Sequence, residues 1–468
     1  MKEKGILGYI TPNKFIKAGY GKNLRTYLTQ FDIQQIIDFG ELPVFSDAAT
    51  FPCIFIVQKE TVKDSKVRFV KINSLAFDSL SIEADIKGFD VSINQLLPDN
   101  WQLTNDATTT IFAKMKANAQ ELSKYLDTKI QYGIKTGFNE AFILDEKTKN
   151  KLIAQTPEAA EIIKPFVVGD NIRFYKIDYE NKYLILTKIG VDIKRYPSVF
   201  EHLKEYQTQL EKRYDKGKFW WELRACDYYN DFKKPKIIYP VIAKESRFTF
   251  DTEGYYFNDK AFMIPSDDKS LLAILNSKLI WFYLKKVCSV LGDEEKGGRL
   301  ELRSIYLKDL PIAKTNDKQK QFLASKAEDM LSLTSNLDKK STRFIKLFTS
   351  MGNPMGLNPL KSESKSESKS ASKSASMSGL KPELELTVNK KLETWYNLTF
   401  GEFRKELEKQ KIAIPIRELM DYQDLFDTNA AQIKELQTKI NNTEKAIDKL
   451  VYALYDLTDE EIQIIENQ

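Results

Sequence analysis

The stretch at residues 5–28, GILGYITPNKFIKAGYGKNLRTYL, decides the fold class of the amino-terminal part of the chain. It begins with an apolar run that ends at a turn, Pro12-Asn13, and continues with apolar residues at helical spacing. Two further apolar strands follow, IQQIIDFG at residues 33–40 and FPCIFIVQK at residues 51–59. Apolar strands joined by a helix predict a buried parallel or mixed sheet of the α/β type.

The composition of the 468-residue chain excludes several classes of protein. The single histidine, His202, argues against histidine-dependent metal sites and Ser-His triads. The cysteines Cys53, Cys226 and Cys288 are far apart, which argues against a disulfide framework or a CxxC zinc site and fits a reducing cytoplasm. No apolar run approaches 18 residues, so no membrane segment is predicted. The net charge is +5 with an acidic end, so the preceding body is more basic and compatible with a nucleic-acid partner.

The chain divides by composition into five predicted segments. Residues 1–105 hold the α/β strands described above, and residues 106–315 form an aromatic-rich segment of mixed α+β character. A helical extension follows at residues 316–350. Residues 351–387 include the repeat KSESKSESKSASKSASMSG, which has too few apolar side chains to offset its ordering entropy and therefore predicts a flexible linker. Residues 388–468 are predicted to form a helical tail.

Local patterns refine the second and the last of these segments. The alternating FTFDTEGYYFND at residues 248–259 predicts a hairpin around Glu253-Gly254, and SLLAILNSKLIWFYLKKV at residues 270–287 predicts a helix. The tail carries a heptad-like stripe, which favours a helical hairpin packed on its own chain over a dimerising coiled coil. The stripe consists of Ile433, Leu436, Ile440, Thr443, Ile447, Leu450 and Leu454.

Motifs of self-contained catalysis are missing from the sequence. The phosphate-binding patterns GxGxxG and GxxxxGK[ST] do not occur, and no pair of carboxylates stands in an apolar setting at acid/base spacing. The chain therefore offers no complete active site of its own.

Several stretches of the sequence, taken in their order along the chain, resemble those of a known family. The opening stretch, followed by IIDFGELPVF at residues 36–45 and AATFPCIFIVQK at residues 48–59, resembles the second half of a class I adenine-specific DNA methyltransferase of type IIG restriction–modification systems. The middle segment resembles the TaqI-like target-recognition domain, and AIDKLVYALYDLTDEEIQIIE resembles the end of such enzymes. The strings of the middle segment are, in order, IQYGIKTGFNEAFIL, IIKPFVVGDNIRFY, KPKIIYPVI, FNDKAFMIP, LLAILNSKLIWFYL and GGRLELRSIYLKDLPI.

The resemblance implies both a fold and a division of labour. Residues 1–105 would be the carboxy-terminal half of a Rossmann-like methyltransferase sheet, residues 106–315 the target-recognition domain, and double-stranded DNA the partner. The family uses S-adenosylmethionine, but its cofactor-binding loop and its [ND]PP[YF] catalytic loop do not occur here. The chain is therefore expected to be inactive alone, with an open sheet edge that an amino-terminal methyltransferase half or an upstream polypeptide would cover.

Candidate site residues follow from the resemblance and from the chemistry of base recognition. Phe45 matches the aromatic position that packs against the flipped adenine in the family; the alternative is an ordinary core phenylalanine. Side chains that can fork onto base edges or neutralise phosphates lie in the recognition segment, although each alone is more simply a solvated surface group. These candidates are Lys135, Thr136, Asn139, Arg173, Trp221, Arg224, Lys244, Arg247, Arg299 and Arg303.

Three functional hypotheses remain open from the sequence. The first is DNA target recognition within an adenine-specific methyltransferase of a restriction–modification or phage-defence system. The second is a non-enzymatic DNA-binding specificity or modulator subunit. The third is an inactive truncated remnant.

Overall fold

The computed structural model describes residues 2–16, 18–40, 42–45, 50–61, 65–98, 101, 103, 106–291, 298–349, 358–359, 388–410 and 412–467. The chain forms two compact units, one of residues 1–327 and 447–468 and one of residues 328–446. Nearly all of the predicted linker, 351–387, lies outside the described residues.

The first part of the larger unit is a five-stranded mixed sheet in the order β1-β3-β2-β4-β5, flanked by two helices. Only the β2–β4 pair is parallel, and the other pairs are antiparallel. The expectation of a mixed sheet and the three predicted strands is confirmed. The elements are β1 (Ile6–Pro12), α1 (Lys22–Leu28), β2 (Asp32–Asp38), β3 (Pro52–Gln58), β4 (Lys66–Lys71), α2 (Leu80–Lys87) and β5 (Phe89–Ser92).

Strand β1 lies at the edge of this sheet. Among the described residues its only strand partner is β3, and its apolar side chains are largely exposed, Ile6 at 63% and Tyr9 at 57%. The central strands by contrast bury Ile36 and Val57. An exposed apolar edge strand is a surface that proteins ordinarily cover.

The helix that follows β1 is shorter than its apolar spacing predicts. Two short 3-10 turns precede α1, and Leu24 and Tyr27 are exposed, whereas Leu28 is buried. The buried Arg25 explains the break, because its side chain donates to the backbone carbonyls of Phe15 and Ala18 and so fixes the two turns against the helix.

The rest of the larger unit contains two four-stranded sheets, β16-β9-β12-β8 and β15-β13-β17-β7, and a three-stranded sheet, β14-β19-β18. Two two-stranded pairs, β10-β11 and β20-β6, complete it. The elements are α3 (Asp106–Ala117), β6 (Ala119–Glu121), α4 (Leu122–Tyr125), β7 (Gln131–Tyr132), α5 (Asn139–Phe142), β8 (Ile143–Leu144), α6 (Glu146–Gln155), β9 (Ile163–Val167), β10 (Ile172–Arg173), β11 (Lys176–Ile177), β12 (Lys182–Ile185), α7 (Pro197–Lys204), α8 (Gln207–Glu211), β13 (Lys236–Pro240), β14 (Ile242–Ala243), β15 (Thr249–Asp251), β16 (Tyr256–Phe257), β17 (Ala261–Ile264), α9 (Lys269–Leu275), α10 (Lys278–Val287), β18 (Ser289–Leu291), β19 (Arg299–Glu301), α11 (Ser304–Leu307) and β20 (Pro311–Ala313).

The predicted hairpin around Glu253-Gly254 is wrong. The turn exists, and the Asp251 carboxylate accepts the backbone N–H groups of Glu253, Gly254 and Tyr255. The strands on its two sides, however, belong to different sheets: β15 pairs with β13, and β16 pairs in parallel with β9. Alternation is a local property, and it does not specify which partner a strand takes.

The predicted helix at residues 270–287 is two helices, α9 and α10. Asn276 ends the first, since its side chain accepts from the Phe248 N–H and donates to the Phe248 carbonyl. Ser277 then caps the second, with its hydroxyl oxygen 3.4 Å from the Ile280 nitrogen. A tertiary contact thus divides a sequence that is helical throughout.

The remaining helices run from the end of β20 to the carboxy terminus. In the smaller unit the Trp395 ring is fully buried, 3.8 Å from the Phe344 ring by centroid, and Lys340 donates to Gln432 at 2.6 Å. Helix α15 therefore packs on its own chain within that unit. The elements are α12 (Asp317–Thr349), β21 (Asn358–Pro359), α13 (Lys390–Glu393), α14 (Phe400–Lys409), β22 (Ile412–Ala413), α15 (Leu419–Leu454) and α16 (Asp459–Glu466).

Within the described ranges, no helix has the length and apolar character needed to cross a membrane.

Candidate nucleic-acid interface

The turn GIKTGFN, residues 133–139, connects the two four-stranded sheets. The Ile134 N–H donates to the Phe257 carbonyl at 2.7 Å, and a Cβ at Gly133 would lie 2.0 Å from the Asn258 carbonyl oxygen. Only glycine allows this approach of two backbones. The turn is therefore held by the backbone of both sheets.

Three candidates from the sequence lie in this turn. Thr136 is buried, and its hydroxyl donates to the Asn139 side-chain oxygen at 2.6 Å. The same hydroxyl accepts the Phe138 N–H at 3.3 Å. Thr136 thus positions the exposed amide of Asn139, while Lys135 is half-buried beside it. Of the three, Asn139 and Lys135 can contact a ligand, and Thr136 acts as their support.

Arg213 holds the turn through a hydrogen bond to the Thr136 carbonyl. It was not among the candidates named from the sequence. Its guanidinium is buried against the Phe142 ring, 4.6 Å from the centroid. Burial lowers its pKa to about 10, which leaves it charged at neutral pH. It donates to five backbone carbonyls at 2.5–3.4 Å, those of Thr136, Leu210, Asp215, Trp220 and Glu222.

Glu222 organises the second loop of the site, residues 212–224, in the same way. This carboxylate is buried and accepts the N–H groups of Gly190, Lys218 and Phe219 at 2.7–3.1 Å. Together Arg213 and Glu222 satisfy backbone groups that a loop would otherwise leave to water. No local sequence motif marks either residue, because their partners include the distant residues Thr136 and Gly190 as well as the loop itself.

The candidates Arg224 and Trp221 belong to this loop. Arg224 pairs with Asp215 at 3.0 Å, and its second nitrogen is 3.5 Å from the Tyr132 hydroxyl. Trp221 is half-buried and stacks on the exposed Phe219, with centroids 4.6 Å apart. Its stacked face is therefore occupied, and it supports the loop more than it offers a free ring.

A second group of cations lies on the three-stranded sheet. In the β14–β19 register Ala243 faces Leu300, so the next residues outward, Lys244 and Arg299, are neighbours at one end of the pair. Both are exposed. Arg303 pairs with Glu301 at 2.5 Å, and Arg247 pairs with Glu245 at 3.0 Å.

The remaining two candidates lie elsewhere. Arg173, on the β10–β11 pair, forms an ion pair with Asp178 at 3.2 Å. Phe45 lies between strands β2 and β3 of the first sheet and is 46% exposed, so it is not a core residue. The residues directly after it, 46–49, lie outside the described part of the chain.

Three lysines form a basic cluster that the sequence analysis missed. Lys164 lies on β9, Lys188 follows β12, and Lys233 precedes β13. Burial first, and then repulsion from Lys233, lower the pKa of both Lys164 and Lys188. The Lys188 ammonium sits 4.8 Å from the Tyr229 ring centroid. Mutual repulsion of this kind is relieved when an anion binds.

The part of the chain that the structure describes contains no group of His, Cys, Asp and Glu side chains arranged to hold a metal ion. The interface is built instead from cations, amides and aromatic rings on loops whose backbones are fixed by buried charged side chains.

Family comparisons match three parts of the chain. Residues 164–312 match the TaqI-like C-terminal specificity domain, and residues 1–45 match the Eco57I restriction-modification methylase family. Residues 315–451 match a family described as a domain of unknown function, DUF8810.

Curated relatives agree with these matches. The chain is 23% identical over 390 residues to type II methyltransferase M.BanIII of Aneurinibacillus aneurinilyticus, covering 73% of this chain and 66% of the relative. It is 23% identical over 404 residues to type II restriction enzyme and methyltransferase RM.Eco57I of Escherichia coli, covering 73% and 39%. The chain is related to type II restriction–modification methyltransferases. It spans less than two thirds of the length of these relatives.

A solved structure of a restriction–modification enzyme is similar in fold. The type IIL restriction-modification enzyme MmeI in complex with DNA superposes with a TM-score of 0.52 and 14% identity, covering 99% of this chain and 50% of that one. The mixed α/β architecture with helices at the carboxy terminus is thus similar to the fold of that enzyme. The recognised resemblance to type II methyltransferases with a TaqI-like specificity domain is confirmed.

Proposed function

We propose that this chain recognises the DNA target of an adenine-specific methyltransferase in a restriction–modification or phage-defence system of type IIG or a related type. The observation that carries the proposal is the coincidence of two features. The TaqI-like specificity match at residues 164–312 covers both the buried-charge loop 212–224 and the basic cluster of Lys164, Lys188 and Lys233. A domain of this class needs fixed loops for base edges and cations for phosphates.

The candidate residues divide by chemistry under this proposal. Lys135, Asn139 and Arg224 lie around one fixed turn and can approach base edges, where amide and guanidinium groups make paired hydrogen bonds. The basic cluster, with Lys244 and Arg299, suits phosphate contacts, which set orientation and most of the affinity. Arg173, Arg224, Arg247 and Arg303 already hold carboxylates, so their contacts to DNA would require exchange of those partners.

We further propose that residues 1–105 form the carboxy-terminal half of a class I methyltransferase sheet and that residues 106–315 form the recognition domain. The exposed apolar side chains on both faces of β1 support this, because an added strand would flank Ile6 and Tyr9 and pair the free edge. That strand, the S-adenosylmethionine site and the catalytic loop would come from an amino-terminal methyltransferase half. The chain alone would then transfer no methyl group, and Phe45 would form one wall of the adenine pocket.

The exposed edge favours this reading over a free-standing specificity subunit. In a subunit that acts without a methyltransferase partner, this apolar strand would remain exposed to water, which proteins ordinarily avoid. The wide sequence separation of Cys53, Cys226 and Cys288 supports a cytoplasmic location. The helical tail at 388–468 is proposed as part of the same protein rather than as a dimerisation element.

Fluorescence anisotropy of the full chain with a mixed-sequence 30-bp duplex, over a salt series, tests the proposal. We expect affinity to fall steeply with salt, since each neutralised phosphate contributes a slope of about 0.9 in log K against log salt. Lys188→Ala should reduce the magnitude of that slope by about one. Lys87→Ala is the control, because Lys87 lies on helix α2 beside the first sheet, and it should leave the slope unchanged.

Two results would oppose the proposal. If the folded chain does not bind DNA at low salt, the result favours the hypothesis that the chain is an inactive truncated remnant. Binding with no change in slope on Lys188→Ala would remove the basic cluster from the DNA interface.

A further inference from the structure

Tyr214 stands out on the surface of the recognition domain, because its side chain is fully exposed, at 101% of the reference area. A tyrosine ring usually buries most of its apolar face. Both of its chain neighbours are fixed: Arg213 is buried and bonded to five carbonyls, and Asp215 holds Arg224 at 3.0 Å. The ring therefore projects from an ordered backbone.

The position of this backbone is defined by the turn that carries Lys135 and Asn139. Arg213 donates to the Thr136 carbonyl at 2.5 Å. A Cβ at Gly137 would lie 3.1 Å from the Arg213 Cδ and 3.4 Å from the Asp215 Cβ. The backbone of Tyr214 thus lies between Arg213, which bonds to the turn that carries Asn139, and Asp215, which pairs with Arg224.

The surroundings of the ring are cationic. Lys212 and Lys218 are exposed in the same loop and, within the described residues, their ammonium groups have no ion-pair partner. Lys216 is also exposed, and its ammonium donates to the Glu211 carbonyl at 2.5 Å. Lysines are depleted from the centres of protein–protein interfaces. A fully exposed aromatic ring near lysines suits a nucleic acid, which offers flat bases next to phosphates.

We propose that Tyr214 is a stacking residue that inserts its ring into an opened step of the DNA duplex. The inference rests on the proposed function and deepens it, because it assigns one side chain to the distortion of the DNA. Extruding a base leaves unstacked neighbours, and an apolar or aromatic side chain can occupy such a step. A ring carried on a fixed loop loses little conformational entropy when it does so.

Competitive anisotropy with two duplexes tests the inference. One is a mixed-sequence 30-bp duplex, and the other has the same sequence with a central abasic site, where a step is already open. The full chain should bind the abasic duplex more tightly. Tyr214→Ala should weaken binding to the abasic duplex on the order of tenfold and abolish the preference, whereas Tyr214→Phe should keep it.

Salt dependence and a matched variant separate stacking from charge. Tyr214→Ala should leave the salt slope unchanged, because the ring neutralises no phosphate, while Lys218→Ala should reduce it by about one. Tyr20→Ala removes a comparably exposed tyrosine from the first sheet region and should change neither affinity nor preference.

The outcomes distinguish the inference from the proposed function. If the wild-type chain binds neither duplex, the proposed function fails and the inference with it. If it binds both, and Tyr214→Ala binds both as the wild type does, DNA recognition stands and the stacking role is overturned. Loss of preference in Tyr214→Phe as well would overturn stacking in favour of a role for the hydroxyl.

Discussion

At the scale of the residue, buried charged side chains hold the recognition domain in shape. The clearest pair is Lys236 and Asp251, both fully buried, with the ammonium 2.5 Å from the carboxylate. Burial lowers the pKa of Lys236, and the attraction of Asp251 opposes that shift. Asp251 also organises the turn at 253–255. The pair therefore joins β13 to the turn that sends β16 to another sheet.

Breaking this ion pair should be costly. Lys236→Met would leave Asp251 charged and without its cation, so we expect the free energy of unfolding to fall by about 3–5 kcal/mol. Urea denaturation followed by circular dichroism measures this. Lys204→Met, which removes an exposed partner of Glu201, should cost less than about 1 kcal/mol.

A second variant keeps the test specific to charge. Adding Asp251→Asn to Lys236→Met removes the uncompensated carboxylate and should recover part of the stability. Equal loss in the single and the double variant would mean that packing, and not the buried charge, accounts for the effect.

At the scale of the element, the GIKTGFN turn depends on backbone that only glycine adopts easily. Gly137 has φ of +70°, and the Arg213 side chain lies where a Cβ would need room. Gly40 also has a positive φ, +55°, but no atom of the described residues lies within 4 Å of the position of a Cβ there. The two glycines thus separate backbone strain from contact with the arginine.

Gly137→Ala should therefore affect both stability and DNA affinity. Left-handed backbone costs a non-glycine residue about 1–2 kcal/mol, and displacement of Arg213 adds to that cost and disturbs Asn139 and Tyr214. Gly40→Ala should pay the backbone cost alone and bind DNA as the wild type does. Thermal unfolding and anisotropy measure the two effects, and equal DNA affinity for all three proteins would contradict the prediction.

At the scale of the whole molecule, the end of the chain is part of the larger unit. The fully buried Tyr455 donates its hydroxyl to the Pro311 carbonyl at 2.7 Å and accepts the Ala313 N–H at 3.0 Å. Lys114 pairs with Glu461 at 2.7 Å, and the Asp448 carboxylate accepts the Lys278 N–H at 2.9 Å. The last helices thus stabilise strand β20 and helices α3 and α10 over more than 140 residues of sequence separation.

Removing one hydroxyl should test this long-range contact. Tyr455→Phe leaves a buried N–H and a buried carbonyl without partners, so the unfolding free energy should fall by about 2 kcal/mol. Tyr452→Phe is the matched control, because its hydroxyl donates to a Glu466 carboxylate that water can solvate, and it should cost less than about 1 kcal/mol. If both variants lower the denaturation midpoint equally, the buried Tyr455 hydroxyl contributes no more stability than the Tyr452 hydroxyl, and the prediction is contradicted.

The sequence by itself determined the spacing of apolar residues in each segment, and this spacing indicated much of the fold class. Apolar runs at 6–10, 33–37 and 52–57 are strands, and 270–287 is helical, because backbone periodicity and burial act over a few residues. The order of its strings also indicated the relation to type II methyltransferases. An uncovered edge strand was expected, and β1 is exposed.

Tertiary structure alone decided how these elements combine. It sent β15 and β16 to different sheets, divided the helix at Asn276, and brought Arg213 to the carbonyl of Thr136, 77 residues away in sequence. Strand partners and buried side-chain hydrogen bonds depend on residues that are distant in sequence, and no local pattern encodes them. The residues that hold the candidate site in place therefore became visible only once the chain was folded.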